Sequence, residues 1–296
     1  EEVLRNPQKY AETTDLILDQ LREVAGYAGA RGAVEISIEQ MYSPHQPPWT
    51  IDGTLEFLRR ANAPSQHPVY ITIDVGHQTG QHRFRKPNRA ELEAVVRRAT
   101  SGESVADVWL GADPVYELLD ELAAPPADGM GRARLSDPDV AAAVERLEAA
   151  MAPYPYMFSS PQDSDTYAWL EAVGRWAPII HLQQTDGKHS AHSAFTPETN
   201  RNGIVKGDQV LAALAKSFAK PASVASGGMP PAVEDVYLSF EVFASNTETN
   251  RQVIEKLKQS HDYWRQFIPE DGLSLDELVA RSGTGGHGGP VGQIGR

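Results

Sequence analysis

Four short apolar runs in this chain each end on a side chain that can bind metal: AVEISIE at Glu39, VYITID at Asp74, PIIH at His181 and VYLSFE at Glu241. Val, Ile and Tyr suit a pleated strand, and segments of helical periodicity lie between the runs, so the chain alternates β and α. Strands that deliver chemistry at their C-terminal ends are the habit of a (β/α)8 barrel, where the loops after the strands build one site. On such a scaffold three carboxylates and one imidazole would converge on a single point. An oxygen-rich set with one nitrogen suits a divalent metal ion such as Mn²⁺, Mg²⁺ or Co²⁺ better than structural zinc, which prefers thiolate and imidazole ligands. The predicted site is catalytic, with coordination positions left for substrate.

Composition narrows the function classes. At 296 residues, with 41% hydrophobic and 23% charged, the chain can bury a large core in one α/β domain. Its net charge of −13 argues against general nucleic-acid or anionic-membrane binding, because those surfaces attract basic proteins. A small anionic substrate stays admissible if its pocket is locally basic. With no cysteine, the chain has no disulfide, thiolate ligand or thiol nucleophile. No run reaches the ~18 apolar residues that a membrane span needs, and no signal peptide is readable, so the expected compartment is the cytoplasm.

Residue 1 is Glu rather than Met, and residues 1–30 read as a helix, with Tyr10, Leu16, Ile17, Leu21, Val24 and Tyr27 at helical spacing. A barrel normally begins with a strand, and four strong strands fall short of the eight of a closed barrel. The expectation is therefore the C-terminal half of a barrel, entered on the helix after its fourth strand; a complete chain with poorly marked strands is the competing reading. Residues 107–110 (DVWL) and 156–159 (YMFS) are candidate extra strands. The strands are expected at 33–39, 69–75, 178–183 and 235–241. Helices are expected at 51–62 behind a Thr50 cap, 89–100, 113–122, 137–150, 164–176, 206–218 and 248–267. Residues 101–176 are too long for one crossover and read as a helical insertion on a barrel spanning 1–275. Residues 276–296 read as a Gly-rich disordered tail.

Glu39, the pair Asp74 and His77 in DVGH, the run HLQQTDG from His181, and Glu241 together resemble the second half of a sugar phosphate isomerase/epimerase of the xylose-isomerase-like TIM barrel superfamily. That resemblance implies that the last four strands supply Glu, Asp, His and Glu, in this order, to one divalent metal. The segments IEQMYSPHQPPWTIDGT, YITIDVGHQ, IIHLQQTDGKHSAHSAFTPETN and YLSFEVFAS are most similar to tetrulose (erythrulose) phosphate 3-epimerases, and the resemblance spans most of residues 1–270. It implies a sugar or sugar phosphate as the small-molecule partner. Barrels of this kind often dimerise, which leaves a homodimer open.

The residue types permit the chemistry independently. Epimerising or isomerising a ketose needs a proton removed beside a carbonyl and the resulting enediolate stabilised; a divalent ion does the second task as a Lewis acid. Glu39 and Glu241 would do the first, one taking the proton and the other returning one from the far face, as the resemblance to 3-epimerases implies. His77 would lie past the strand end and hydrogen-bond a substrate oxygen. Gln183 would face the same way as His181, because side chains alternate along a strand. Lys188, His189 and His192, in the following loop, are candidates for gripping a phosphate or sugar hydroxyls, although His189 and His192 read first as loop surface rather than ligands.

Each reading has a plainer competitor. A single Glu at a strand end is commonly a solvated charge, and Asp74 could cap its loop; four such residues at matching positions are harder to explain that way. Residues 82–86 (HRFRK) read as a solvated basic loop before a phosphate site. His45 and Trp49, bracketed by prolines, read equally as a lid or as a rigid turn packed on the barrel. The glycines at 285–289 follow no strand and open no helix, so they are not a phosphate loop. Three function classes remain: a metal-dependent sugar phosphate epimerase, with an aldose–ketose isomerase beside it because both pass through an enediolate; a phosphodiester hydrolase resembling endonuclease IV, disfavoured by the acidic charge and few strand-end histidines; and a non-catalytic barrel relative, disfavoured by retention of all four ligand types.

Overall fold

The computed structural model describes residues 2–32, 35–63, 67–124, 136–221 and 227–284. Helix α1 (Pro7–Ala30) precedes β1 (Ile36–Glu39), α2 (Ile51–Asn62) and β2 (Val69–Asp74). A 3-10 stretch (His77–Phe84) leads to α3 (Arg89–Ser101), α4 (Asp113–Ala123) and α5 (Asp137–Met151). After these come α6 (Thr166–Val173), β3 (Ile179–Leu182), α7 (Thr199–Asn202), α8 (Gly207–Ala219), β4 (Tyr237–Phe240), α9 (Asn250–Trp264) and α10 (Leu275–Thr284). No helix among the described residues is long and apolar enough to cross a membrane.

The strands form one sheet in the order β1-β2-β3-β4. β2 pairs with β3, and β3 with β4, both in parallel. The expected four strands are present, each trimmed at its ends, whereas 107–110 is irregular and 156–159 carries only the end of a 3-10 turn and one isolated bridge from Ser159 to Arg85. At 107–110 the Leu110 amide is met locally by the Tyr116 hydroxyl, and at 156–159 strand pairing stops at that one bridge, in which the Ser159 amide donates to the Phe84 carbonyl and the Lys86 amide to the Ser159 carbonyl.

The chain divides into two compact units. One holds the described parts of Glu1–Ile36, Gln40–Val69 and Gly80–Ser164; the other holds Ser37–Glu39, Tyr70–Thr79 and the described residues from Asp165 onward. The stretch expected as one helical insertion is thus divided before Asp165: α4 and α5 belong with α3, and α6 belongs with the later strands.

In the first unit, α3, α4 and α5 pack around Leu92, Val95, Val96, Val115, Leu119, Val144 and Leu147, all essentially buried. Local chemistry sets their ends. Asn88 with Glu91 and Ser136 with Asp139 form capping boxes, and Gly102 closes α3 at φ 86°, a left-handed position that glycine takes without strain. Trp49, an expected lid or rim residue, is core: it is buried, donates from Nε1 to the Tyr156 carbonyl at 3.1 Å, and meets Phe84 edge to face. His82, Arg83 and Arg85 of the basic loop line a cavity of about 930 Å³, where Arg85 pairs with Glu91 and Arg98 with Asp107.

In the second unit, α6 packs on α8 around Trp169, Leu170, Leu211 and Leu214. Gly174 lets the end of this helix approach α8, since a Cβ there would lie 2.7 Å from Leu214 Cδ2. A helix occupies Leu275–Thr284, where the sequence reading placed the start of a disordered tail: Ser274 receives Glu277 as a helix-entry partner, and Leu278 is buried. The rest of that tail and the glycines at 285–289 lie outside the described residues.

Candidate metal centre

Parallel register brings the ends of β2, β3 and β4 level. Asp74 is opposite His181, His181 opposite Ser239 and Leu182 opposite Phe240, so Glu241 follows directly; its amide donates to the Leu182 carbonyl at 3.1 Å. β2 is buried along its whole length, which carries Asp74 into the interior with no exposed surface. A carboxylate taken out of water this completely is costly unless charge or donors meet it.

Glu39, Asp74, His181 and Glu241 each offer one ligand atom, and these atoms all lie within 4.8 Å of one another. His181 Nδ1 sits 3.3 Å from Glu39 Oε1 and 2.8 Å from Glu241 Oε2. Asp74 divides its oxygens. Oδ1 accepts from the Gly76 amide (2.7 Å), the His77 amide (3.2 Å) and Gln183 Nε2 (2.7 Å). Oδ2 is buried and accepts no hydrogen bond in the described structure, while Glu241 Oε2, also buried, has the His181 imidazole beside it. Buried carboxylate oxygens brought this close together, one of them without a donor, are what a divalent cation satisfies, so the residues present fit such an ion.

The charges respond to one another. The Glu39 carboxyl is held below its usual range, chiefly by its hydrogen bond with His181, and the same bond raises the His181 imidazole. Glu241 moves the other way. Burial pushes its carboxyl up, and the Asp74 carboxyl beside it adds to the shift. The His181 imidazole lies between the Glu39 and Glu241 carboxylates, and ion binding must displace any proton it carries there.

The structure sorts the expected substrate-binding residues. His77 is buried, its Nδ1 lies 3.8 Å from Glu39 Oε1, and its Nε2 lies 4.0 Å from Asp74 Oδ2. His192 Nε2 lies 3.8 Å from the same oxygen, and Asp74, His77 and His192 form a second group close enough to hold an ion. Burial lowers the His192 imidazole. Gln183, expected to face substrate, is fully buried with its amide spent on protein groups. Its side chain turns to the side of His181, where alternation places it, and reaches the Asp74 carboxylate. The Lys188 side chain is 82% exposed and pairs with Asp186 at 3.6 Å. His189 is likewise exposed beside Asp186.

Three supporting residues escaped the sequence reading. Phe243 stacks on His192 with centroids 3.9 Å apart, Ser190 Oγ lies 3.3 Å from His192 Nδ1, and Gln78 Nε2 donates to the Asp74 carbonyl at 2.7 Å. The only advance signal was their nearness in sequence to Glu241, His192 and Asp74.

No sequence-family profile matches the chain. A D-erythrulose 1-phosphate 3-epimerase from Brucella abortus (strain 2308) is 29% identical over 111 residues, which is 37% of this chain and 31% of that protein. The crystal structure of a candidate xylose isomerase from Rhodospirillum rubrum superposes with a TM-score of 0.52 at 13% identity, over 90% of this chain and 58% of the other. The chain therefore spans less than two thirds of either protein. It has the parallel α/β fold of a xylose-isomerase-like TIM barrel protein, and part of its sequence is similar to that of a sugar phosphate epimerase.

Proposed function

We propose that this chain carries the site of a metal-dependent sugar phosphate epimerase, acting at carbon 3 of a tetrulose phosphate such as erythrulose phosphate. The observation that carries the reading is the convergence of Glu39, Asp74, His181 and Glu241 at the strand ends, with the buried Asp74 Oδ2 lacking a donor. The similarity to the Brucella enzyme supports the substrate class. Glu39, Asp74, His181 and Glu241 would hold the ion; Mn²⁺, Mg²⁺ or Co²⁺ suits the oxygen-rich donor set. When bound, such an ion acts as a Lewis acid on the ketose carbonyl and neighbouring hydroxyl, lowering the cost of the enediolate.

The remaining work falls to side chains. Glu39 and Glu241 come from the two ends of the sheet order, β1 and β4, and so approach a bound carbon from different sides. Glu39 and Glu241 act as the two bases, one removing the proton beside the carbonyl and the other delivering one to the opposite face, which inverts the centre. His77 and His192, with Nε2 atoms directed toward the centre, donate to substrate oxygens. Phe243, stacked on His192, keeps that ring in place.

The test is solvent exchange. With tetrulose phosphate and Mn²⁺ in deuterated water, the protein is expected to place deuterium at carbon 3, and Glu39→Gln and Glu241→Gln each to abolish epimerisation while one retains exchange from its own face. Turnover without deuterium at carbon 3 would reject the two-base reading. Deuterium at carbon 1 or 2 with an aldose product would assign the protein instead to aldose–ketose isomerisation, the reading that the xylose-isomerase-like fold favours second.

A further inference from the structure

Gln183 has a fully buried side chain, and both ends of its amide are engaged at the candidate centre. Nε2 donates to Asp74 Oδ1 at 2.7 Å, and Oε1 accepts from the His192 amide at 2.5 Å. The orientation follows from chemistry: an ionised carboxylate only accepts and a backbone N–H only donates, so the amide nitrogen must face Asp74 and the oxygen His192. Ser190 closes the arrangement. Its Oγ lies 3.2 Å from Gln183 Nε2 and 3.3 Å from both Oε1 and His192 Nδ1.

The amide fits there because residue 76 is glycine. A Cβ on Gly76 would stand 2.3 Å from Gln183 Cδ, 2.4 Å from Oε1 and 2.7 Å from Nε2, on top of the amide. Gly76 is not in the left-handed region, so the position needs space and not backbone freedom. His192 is the reverse case. At φ 44° it is the one non-glycine residue with positive φ among those described, a conformation that costs energy unless its surroundings hold it.

We infer that Gln183, seated against Gly76, is a positioning residue that locks the Asp74 carboxylate and the His192 loop into one geometry. This rests on the metal-centre reading above. With Oδ1 saturated by three donors, Asp74 cannot rotate its carboxyl, and Oδ2 is the oxygen left toward the ion. Through the other end of the same amide, the loop carrying His192 is tied to that carboxylate, so the groups expected to meet ion and substrate are set together. Partners behind metal ligands typically alter affinity by about 10–100-fold when removed.

Three variants separate the two ends of the amide, and two measurements read them. Gln183→Glu keeps an acceptor for the His192 amide but places a second carboxylate against Asp74; it is expected to retain protection of that amide from hydrogen exchange in metal-free protein while weakening Mn²⁺ binding by about 10–100-fold. Gln183→Met removes both bonds and is expected to lose both protection and affinity. Gly76→Ala displaces an intact Gln183 and should behave like Gln183→Met. Leu214→Ala, in the same unit but away from the amide, controls for general loosening and should change neither readout at the temperature of measurement. Variants within twofold of wild type in both measurements, or a Leu214→Ala effect as large as theirs, would overturn the inference. If wild-type protein bound no Mn²⁺, the metal-centre reading would fall, and exchange at the His192 amide in Gln183→Met and Gly76→Ala would still decide whether the amide holds the loop.

Discussion

Every residue buried in α3, α4 and α5 is apolar, and the charges of these helices meet in pairs at the surface, as in Arg89 with Glu148 and Arg97 with Asp137. At the strand ends the pattern inverts: Asp74, His77, Gln78, Thr79, Gln183, Gln184 and Thr185 are all buried. Burial of a Leu or Val contributes roughly 1.5–3 kcal/mol, whereas a buried ion costs several kcal/mol before its partners offset it. The helical region turns burial into stability. The strand ends use it to hold carboxylates and imidazoles in a geometry they would not adopt in water.

The comparison breaks if the two regions respond alike to substitution. The largest expected effect is His181→Ala, which removes the nitrogen ligand and the charge between Glu39 and Glu241; Mn²⁺ affinity should fall by more than ~100-fold, beyond the loss typical for groups behind the ligands. Calorimetric titration would show it, and an affinity within tenfold of wild type would remove His181 from the centre. Next is Leu147→Ala in α5. Leu147 is fully buried, so the cavity should lower unfolding free energy by about 2–5 kcal/mol in denaturant titration, while Mn²⁺ affinity at low temperature stays unchanged. A parallel loss of affinity would mean that the regions are not energetically separate.

The smallest effect sharpens the comparison through pH. In metal-free protein, the raised imidazole of His181 contributes stability that is complete below about pH 6.5 and is lost as pH rises through its folded value. The lowered Glu39 carboxyl contributes stability that is present above about pH 4.3 and is lost as pH falls through its folded value. Glu241, raised by burial, acts against this, since its ionisation is disfavoured in the fold and its penalty grows as pH rises. Ion binding has the opposite slope because the ion must displace the His181 proton. Mn²⁺ affinity should drop by up to about tenfold per pH unit below the raised His181 value, while metal-free thermal stability declines toward alkaline pH. Parallel slopes in the two measurements would contradict a proton held in the ion's place.

Some of this was legible early because it is local. The capping boxes at Asn88 and Ser136, the Thr50 cap and the run VYITID carry their structural instruction within a few residues, and the helices and strands there match expectation to within a residue or so. Short runs such as DVWL carry the same composition without a partner strand, and composition alone does not show whether one is present. Gln183 reaches the Asp74 carboxylate on the side that alternation places it, but its burial is set by Gly76, Ser190 and the His192 amide, which the strand pattern does not contain. Lys188 looked useful because it lies near His181 in sequence, but Asp186, two residues before it, competes for its charge.

By itself, the sequence determined the inventory of carboxylates and imidazole and the strand ends that carry it, because β-propensity and the identity of a terminal residue are properties of short segments. Tertiary structure alone decided the register that sets Asp74 opposite His181, the loss of donors at Asp74 Oδ2, and the inward turn of Gln183 into the space left by Gly76. Those features depend on atoms more than a hundred residues apart along the chain. Distance, burial and hydrogen-bond competition between such atoms exist only once the strands have paired.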